Sequence, residues 1–126
     1  MSFSNHAENL VLDWLLTDGT ATRPTAWYVG LFTSDPTDAD SGTEVSGGSY
    51  ARTAVTFSVT GNAATNTAGV EFPAATASWG TVSHIAVYDA STGGNMLFHT
   101  ALDTAKVITD GDVFRIPTGD LDFTLD

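Results

Sequence analysis

At Arg23-Pro24 the spacing of apolar residues changes from about 3.6 to 2, and it never changes back. Upstream, Phe3, Ala7, Leu10, Val11, Trp14 and Leu15 recur every three or four residues, which puts them on one face of an amphipathic helix. The spacing predicts that helix over about residues 4–17. Ser4 or Asn5 can cap its start, and Glu8 stands at capping-box distance from Asn5. Asp18-Gly19 is a stop signal, and the residue before Pro24 disfavours further helix. A single helix this short is marginal in water. It must dock on the rest of its own chain or on a partner, and the sequence leaves that choice open.

Downstream, over about residues 26–125, the pattern is that of short strands. Ala26 to Thr33 is apolar on both faces, as in a strand covered on both sides. Arg52 to Val59 alternates, with Thr53, Val55, Phe57 and Val59 on one face. Gly61-Asn62 is a turn, and Val70 to Phe72 is a short strand ended by Pro73. Thr81 to Tyr88 and Met96 to Leu102 flank a glycine-rich loop and form a hairpin. Lys106 to Ile108, Val113 to Ile116 and Leu121 to Leu125 complete the chain, and their close spacing favours an antiparallel meander. Turn signals this frequent indicate a mainly β chain: an antiparallel β-sandwich or jelly-roll-like domain, single over 1–126, with one N-terminal amphipathic α-helix. Ser34 to Ser49 is the one long irregular stretch, and loops of that length are usually functional or mobile.

Charge and cysteine content remove several classes of function. Only Arg23, Arg52, Lys106 and Arg115 are basic, against 15 Asp plus Glu, for a net charge of −11. A chain with no clustered basic face does not neutralise phosphates, so neither nucleic acid nor an anionic membrane surface is an expected partner. No apolar stretch reaches the ~18 residues of a membrane span, and Met1 to His6 lacks the start of a signal peptide, so secretion by that route is not expected. With 0 cysteines there is no disulfide, thiol nucleophile or cysteine zinc site.

Candidate chemistry is sparse. Asp35, Asp38, Asp40 and Glu44 offer oxygen ligands on a flexible loop, but not at EF-hand spacing. Whether that loop takes a cation is left open, and no metal ligand is assigned. His84 and His99 lie on the two arms of the hairpin. If Tyr88 pairs with Met96, His84 meets Thr100 and His99 meets Ile85, which sends the imidazoles to opposite faces. Asp110 with Asp112, and Asp120 with Asp122, resemble the paired carboxylates of a hydrolase, but turn-forming aspartates account for them. The nucleophile elbow, phosphate loop, dinucleotide fingerprint and zinc-helix motif do not occur. No catalytic residue and no cofactor are assigned. Trp14 and Trp27 fall in periodic segments and read as core. Trp79 lies between strands, partly exposed, as a loop anchor or an interface residue.

Several stretches resemble a known family of small virion proteins from tailed bacteriophages. They are the helix Ser4 to Leu16, then Tyr28 to Pro36 (YVGLFTSDP), Thr43 to Arg52 (TEVSGGSYAR), Phe72 to Thr76 (FPAAT), Trp79 to Val82 (WGTV), and the turns Gly111-Asp112 and Gly119-Asp120-Leu121. Glu44 to Arg52 is the most specific part. Members of that family carry labels such as tail fibre protein or phage structural protein. The resemblance implies a non-enzymatic, late-expressed virion protein, assembled in the host bacterial cytoplasm. It implies contact with other virion proteins, either the major capsid protein or tail and baseplate components. A homo-oligomer is the default for such assemblies, a trimer being one stoichiometry. A compact chain with a radius of roughly 14 Å makes a knob better than a shaft. The favoured role is therefore a surface subunit that decorates or cements the capsid. The alternative is a tail-fibre or tail-tip module that binds a host receptor or glycan. A small hydrolase or isomerase using the C-terminal carboxylates is the least supported. Glu44, Ser49, Tyr50, Arg52 and Trp79 are the candidate subunit contacts.

Overall fold

The computed structural model describes residues 1–125. Among the described residues, ten strands and one helix follow in the order β1 (Ser2–Phe3), α1 (Asn5–Leu16), β2 (Tyr28–Phe32), β3 (Thr53–Ala54), β4 (Phe57–Thr60), β5 (Ala63–Asn66), β6 (Val70–Glu71), β7 (Gly80–Tyr88), β8 (Met96–Ile108), β9 (Arg115–Ile116) and β10 (Asp122–Thr124). Every strand pair is antiparallel. The strands form a five-stranded sheet in the order β1-β8-β7-β2-β3, a three-stranded sheet β10-β5-β4 and a pair β6-β9.

The arrangement is sandwich-like. Phe98 on β8 packs against Phe57 on β4 at 5.9 Å and Phe123 on β10 at 4.8 Å between ring centroids, which brings the three-stranded sheet onto one face of the large one. That face also carries Val29, Leu31, Ile85 and Val87, all buried with Phe72, Trp79, Phe114 and Leu121 in the main core. Burial of these side chains is the main source of folding free energy, about 1.5–3 kcal/mol for each large apolar group. The opposite face of the sheet buries a smaller cluster of Phe32, Ala86, Tyr88 and Met96.

The helix begins as the spacing requires. Ser4 is its N-cap and its Oγ accepts from the Ala7 amide, while the same hydroxyl donates to the Met96 carbonyl. Ala7 is the buried residue of α1. Its far end is not buried: Trp14 is 71% exposed, which corrects the reading of Trp14 as core. Burial falls off along the helix, from Ala7 through half-buried Leu10 and Val11 to exposed Trp14, Leu15 and Leu16. No helix among the described residues is long and apolar enough to cross a membrane.

Four further expectations are corrected. The Arg52–Val59 strand is broken into β3 and β4, which belong to different sheets. At the break Val55 donates its amide to the Trp27 carbonyl, so the chain leaves one sheet and enters the other. Lys106–Ile108 is not a separate strand but the end of the long β8. The C-terminal meander does not form, because β9 pairs with β6 and β10 pairs with β5. Finally, Tyr88 does pair with Met96, but a register shift beside Val87 then sets His99 opposite Ala86 and His84 opposite Ala101. Directly paired residues share a face, so the two histidines point to the same side of the sheet.

Candidate functional site

The most densely tied polar region is built by residues 44–52. Strand β2 has β7 on one side and needs partners on the other. At one end β3 pairs with Tyr28 and Val29, and at the other Glu44 bridges Phe32 while the Val45 amide donates to the Leu31 carbonyl. Residues 46–52 loop outward between these two contacts. That would leave the Leu31 amide unsatisfied, a costly defect in a buried strand. Tyr50 fills the gap: the Leu31 amide donates to its hydroxyl oxygen at 3.0 Å, and that hydroxyl donates to Glu44 Oε2 at 2.6 Å.

Arg52 completes the arrangement. Its Nε donates to Glu44 Oε2 and its Nη2 to Glu44 Oε1, both at 2.9 Å, a bidentate fork. Its Nη1 donates to the carbonyls of Ala90 (3.0 Å) and Gly93 (2.7 Å), which ties the loop to the β7–β8 hairpin. The guanidinium carbon also sits 3.5 Å from the centroid of the Tyr88 ring. Tyr88 in turn donates its hydroxyl to Asp40 Oδ1 at 2.6 Å. The Arg52 side chain is only 9% exposed. Burial works against its charge, but the Glu44 carboxylate more than offsets this and holds its pKa up. Burial also pushes the Tyr50 and Tyr88 phenols up, reinforced by the Glu44 and Asp40 carboxylates they bond. Both tyrosines are therefore locked as neutral donors.

Trp79 anchors the outer edge of the loop. It is 4% exposed, so it is core rather than the partly exposed residue expected. Its indole N–H donates to the Gly48 carbonyl at 2.9 Å, and its ring meets Tyr50 edge-on at 5.5 Å. Gly48 is required here: its φ is +56°, and a Cβ would lie 2.9 Å from Trp79 Nε1. Ser49, also at positive φ (65°), shares a hydrogen bond with Thr76 at 2.9 Å. The five candidate contact residues thus lie together, but their polar groups bond within the chain: to one another, to backbone carbonyls and, for Ser49, to Thr76. Ser46, Gly47, Ser49 and Ala51 form the exposed rim.

The acidic loop is likewise tied internally. Asp35 caps the Thr37 amide, Asp38 faces His99 Nε2 at 2.8 Å, Asp40 holds Tyr88 and Glu44 holds Arg52. The four carboxylates are distributed among four different partners. His84 shares its Nδ1 with Ser83 at 2.8 Å, so the histidines, though on one face, have separate partners. Asp112 accepts from the Thr109 amide and hydroxyl, and Asp122 accepts from Thr65, as turn and cross-strand aspartates do. Asp120 and Asp122 border an open groove of about 440 Å³ whose rim also carries Lys106 and Arg115.

One residue escapes sequence reasoning. Asn66, 1% exposed, donates to the Ala68 and Pro117 carbonyls and accepts from the Gly119 and Leu121 amides. It clamps the C-terminal turn onto β5. An asparagine after a run of small residues gives no signal of that role.

A β scaffold that uses its polar groups to make one loop rigid, and presents that loop's rim to solvent, has the character of a structural module. The particular family follows from comparison. The chain belongs to the family described as Podophage GP4 fiber I protein gp80, whose model matches residues 2–124. The resemblance to phage virion proteins is thereby established, and the chain is a member of a phage fibre protein family. No curated protein matches it.

Proposed function

We propose that this protein is a non-catalytic structural subunit of a phage fibre assembly, a compact β knob that joins other virion components. The family match over residues 2–124 carries this reading. It favours the fibre alternative over the capsid-decoration role, which rested on size alone. The rigid 44–52 loop supports it: a part that transmits load between subunits needs a loop with one shape, and the Glu44–Arg52 fork with its two carbonyl anchors provides that. Glu44, Tyr50, Arg52 and Trp79 then act indirectly, by holding the Ser46–Ala51 rim in place for a neighbouring subunit. Trp79 does not serve the glycan-reading version, because its ring is buried and offers no stacking face.

Electron cryo-microscopy of intact particles of the phage that encodes the protein tests this. Density for the chain at a fibre or its attachment point is the expected result. Density arrayed over the capsid lattice would overturn it.

A further inference from the structure

The end of α1 exposes apolar side chains on two faces. Leu10, Val11 and Trp14 continue the side of the helix that starts at buried Ala7; Leu10 and Val11 are half-buried, but Trp14 is 71% exposed. The other side carries Leu12, Leu15 and Leu16 at i, i+3 and i+4, exposed by 55%, 60% and 75%. Contiguous exposed apolar side chains of this size mark a contact surface. The irregular residues 17–25 that lead back to β2 are mostly exposed and do not cover it. Its termination is nonetheless well made: Thr17 donates its amide and hydroxyl to the Asp13 carbonyl, and the hydroxyl also lies 2.8 Å from Asp13 Oδ1. The tip is a formed structure, not a frayed one.

Charge narrows what can cover it. Asp13 lies within the tip and Asp18 follows it, and the last turn has no basic residue. The helix dipole adds its negative end here. Among the described residues, the carbonyls of Trp14, Leu15 and Leu16 have no hydrogen-bond donor. A second copy of the chain brings the same acidic flanks and its own charge of −11. A flat contact between two such tips, each about 8 Å long, covers one face and falls far short of the ~800 Å² per partner of a stable interface.

We infer that the tip of α1, Leu12 to Leu16, is a plug that enters an apolar socket rimmed by lysine or arginine on a different protein. The socket encloses both apolar faces, and its cationic rim meets the acidic flanks and the free carbonyls. That the socket belongs to a virion protein rests on the fibre reading; the plug itself rests on exposure and charge.

The test supplies the chain in trans to phage lacking its gene. A photo-crosslinking residue at Leu15 is expected to form an adduct with a different virion protein, at a peptide that combines apolar residues with lysine or arginine. Leu12→Ser with Leu16→Ser should lower the copies per particle by roughly a hundredfold or more. Its melting temperature should be unchanged, because both side chains are exposed. Asp18→Lys should also lower incorporation. An adduct with another copy of the chain, no adduct, or wild-type incorporation of the double variant would overturn the plug. An adduct with the major capsid protein would keep the plug and refute the fibre placement. A chain located at the fibre whose double variant incorporates normally would refute the plug alone.

Discussion

Residues 44–52 are polar and glycine-rich, whereas Leu12 to Leu16 has four apolar residues in five. Composition alone would put the first stretch in solvent and the second in the core. The structure ties the first stretch into the chain through Glu44, Tyr50 and Arg52 while its rim stays exposed, and it leaves the second in solvent. The loop is held by a bidentate ion pair, two carbonyl anchors and an indole N–H, while the helix tip stands 55–75% exposed. Polarity tells whether a group needs a partner, not where that partner is. In the loop the partners are in the same chain; at the tip the apolar side chains are left exposed.

Mutations that strike the two regions should therefore behave in opposite ways. The largest effect is expected for Trp79→Ala, which opens a core cavity and removes one of the two donors to the Gly48 carbonyl, the Thr76 amide being the other: about 4 kcal/mol less stable in urea denaturation. Arg52→Ala leaves Glu44 half-buried without its cation and frees the hairpin loop, for a loss of about 3 kcal/mol by the same measurement. Arg52→Lys should recover only part of it, since a lysine cannot span both carboxylate oxygens and both carbonyls. If either alanine variant keeps full stability, the loop is not the tied region of the pair.

Alkali tests the same network without mutation. Tyr50 and Tyr88 hold their protons more tightly in the folded chain than the about 10 of an unfolded one. The unfolded state therefore binds fewer protons above pH 10. The stabilisation is complete below pH 10 and is lost as pH rises toward the folded values, by at most about 1.4 kcal/mol per pH unit for each phenol. Phenolate absorbance from these two residues should appear together with loss of the near-ultraviolet dichroism. Ionisation of both in a still-folded protein would contradict the network. The smallest effect is expected at the helix: Trp14→Ala should change the stability of the isolated protein by less than about 0.5 kcal/mol, measured by thermal melting. A larger loss would mean that the tip already has its partner within the chain.

Much of the fold is legible in the order of residues. The Ser4 cap, the extent of α1, the central strand β2 and the β7–β8 hairpin all follow from periodicity and turn residues, which act over a few positions. The features that are not legible are of a different kind. Strand β5 carries no signal, because Ala63 to Asn66 has no β-branched alternation beyond Thr65; it is a strand only because β4 and β10 flank it. The histidine faces come out inverted because one bulge beside Val87 shifts every later pair, and a bulge leaves no mark on residue alternation. The stretch Glu44 to Arg52 stands out in the sequence, but its wiring does not, since Arg52 meets Ala90 and Gly93 some forty residues away in the chain.

Residue order thus governs what is local in this protein: where the period changes, where turns fall, which charges dominate and which family the motifs resemble. These depend on neighbours along the chain. Long-range packing settles the rest: which sheet each strand joins, that Trp79 is inside and Trp14 outside, and which carboxylate meets which cation. Those outcomes depend on contacts between residues far apart in sequence, whose free energy exists only once the sheets have closed on one another.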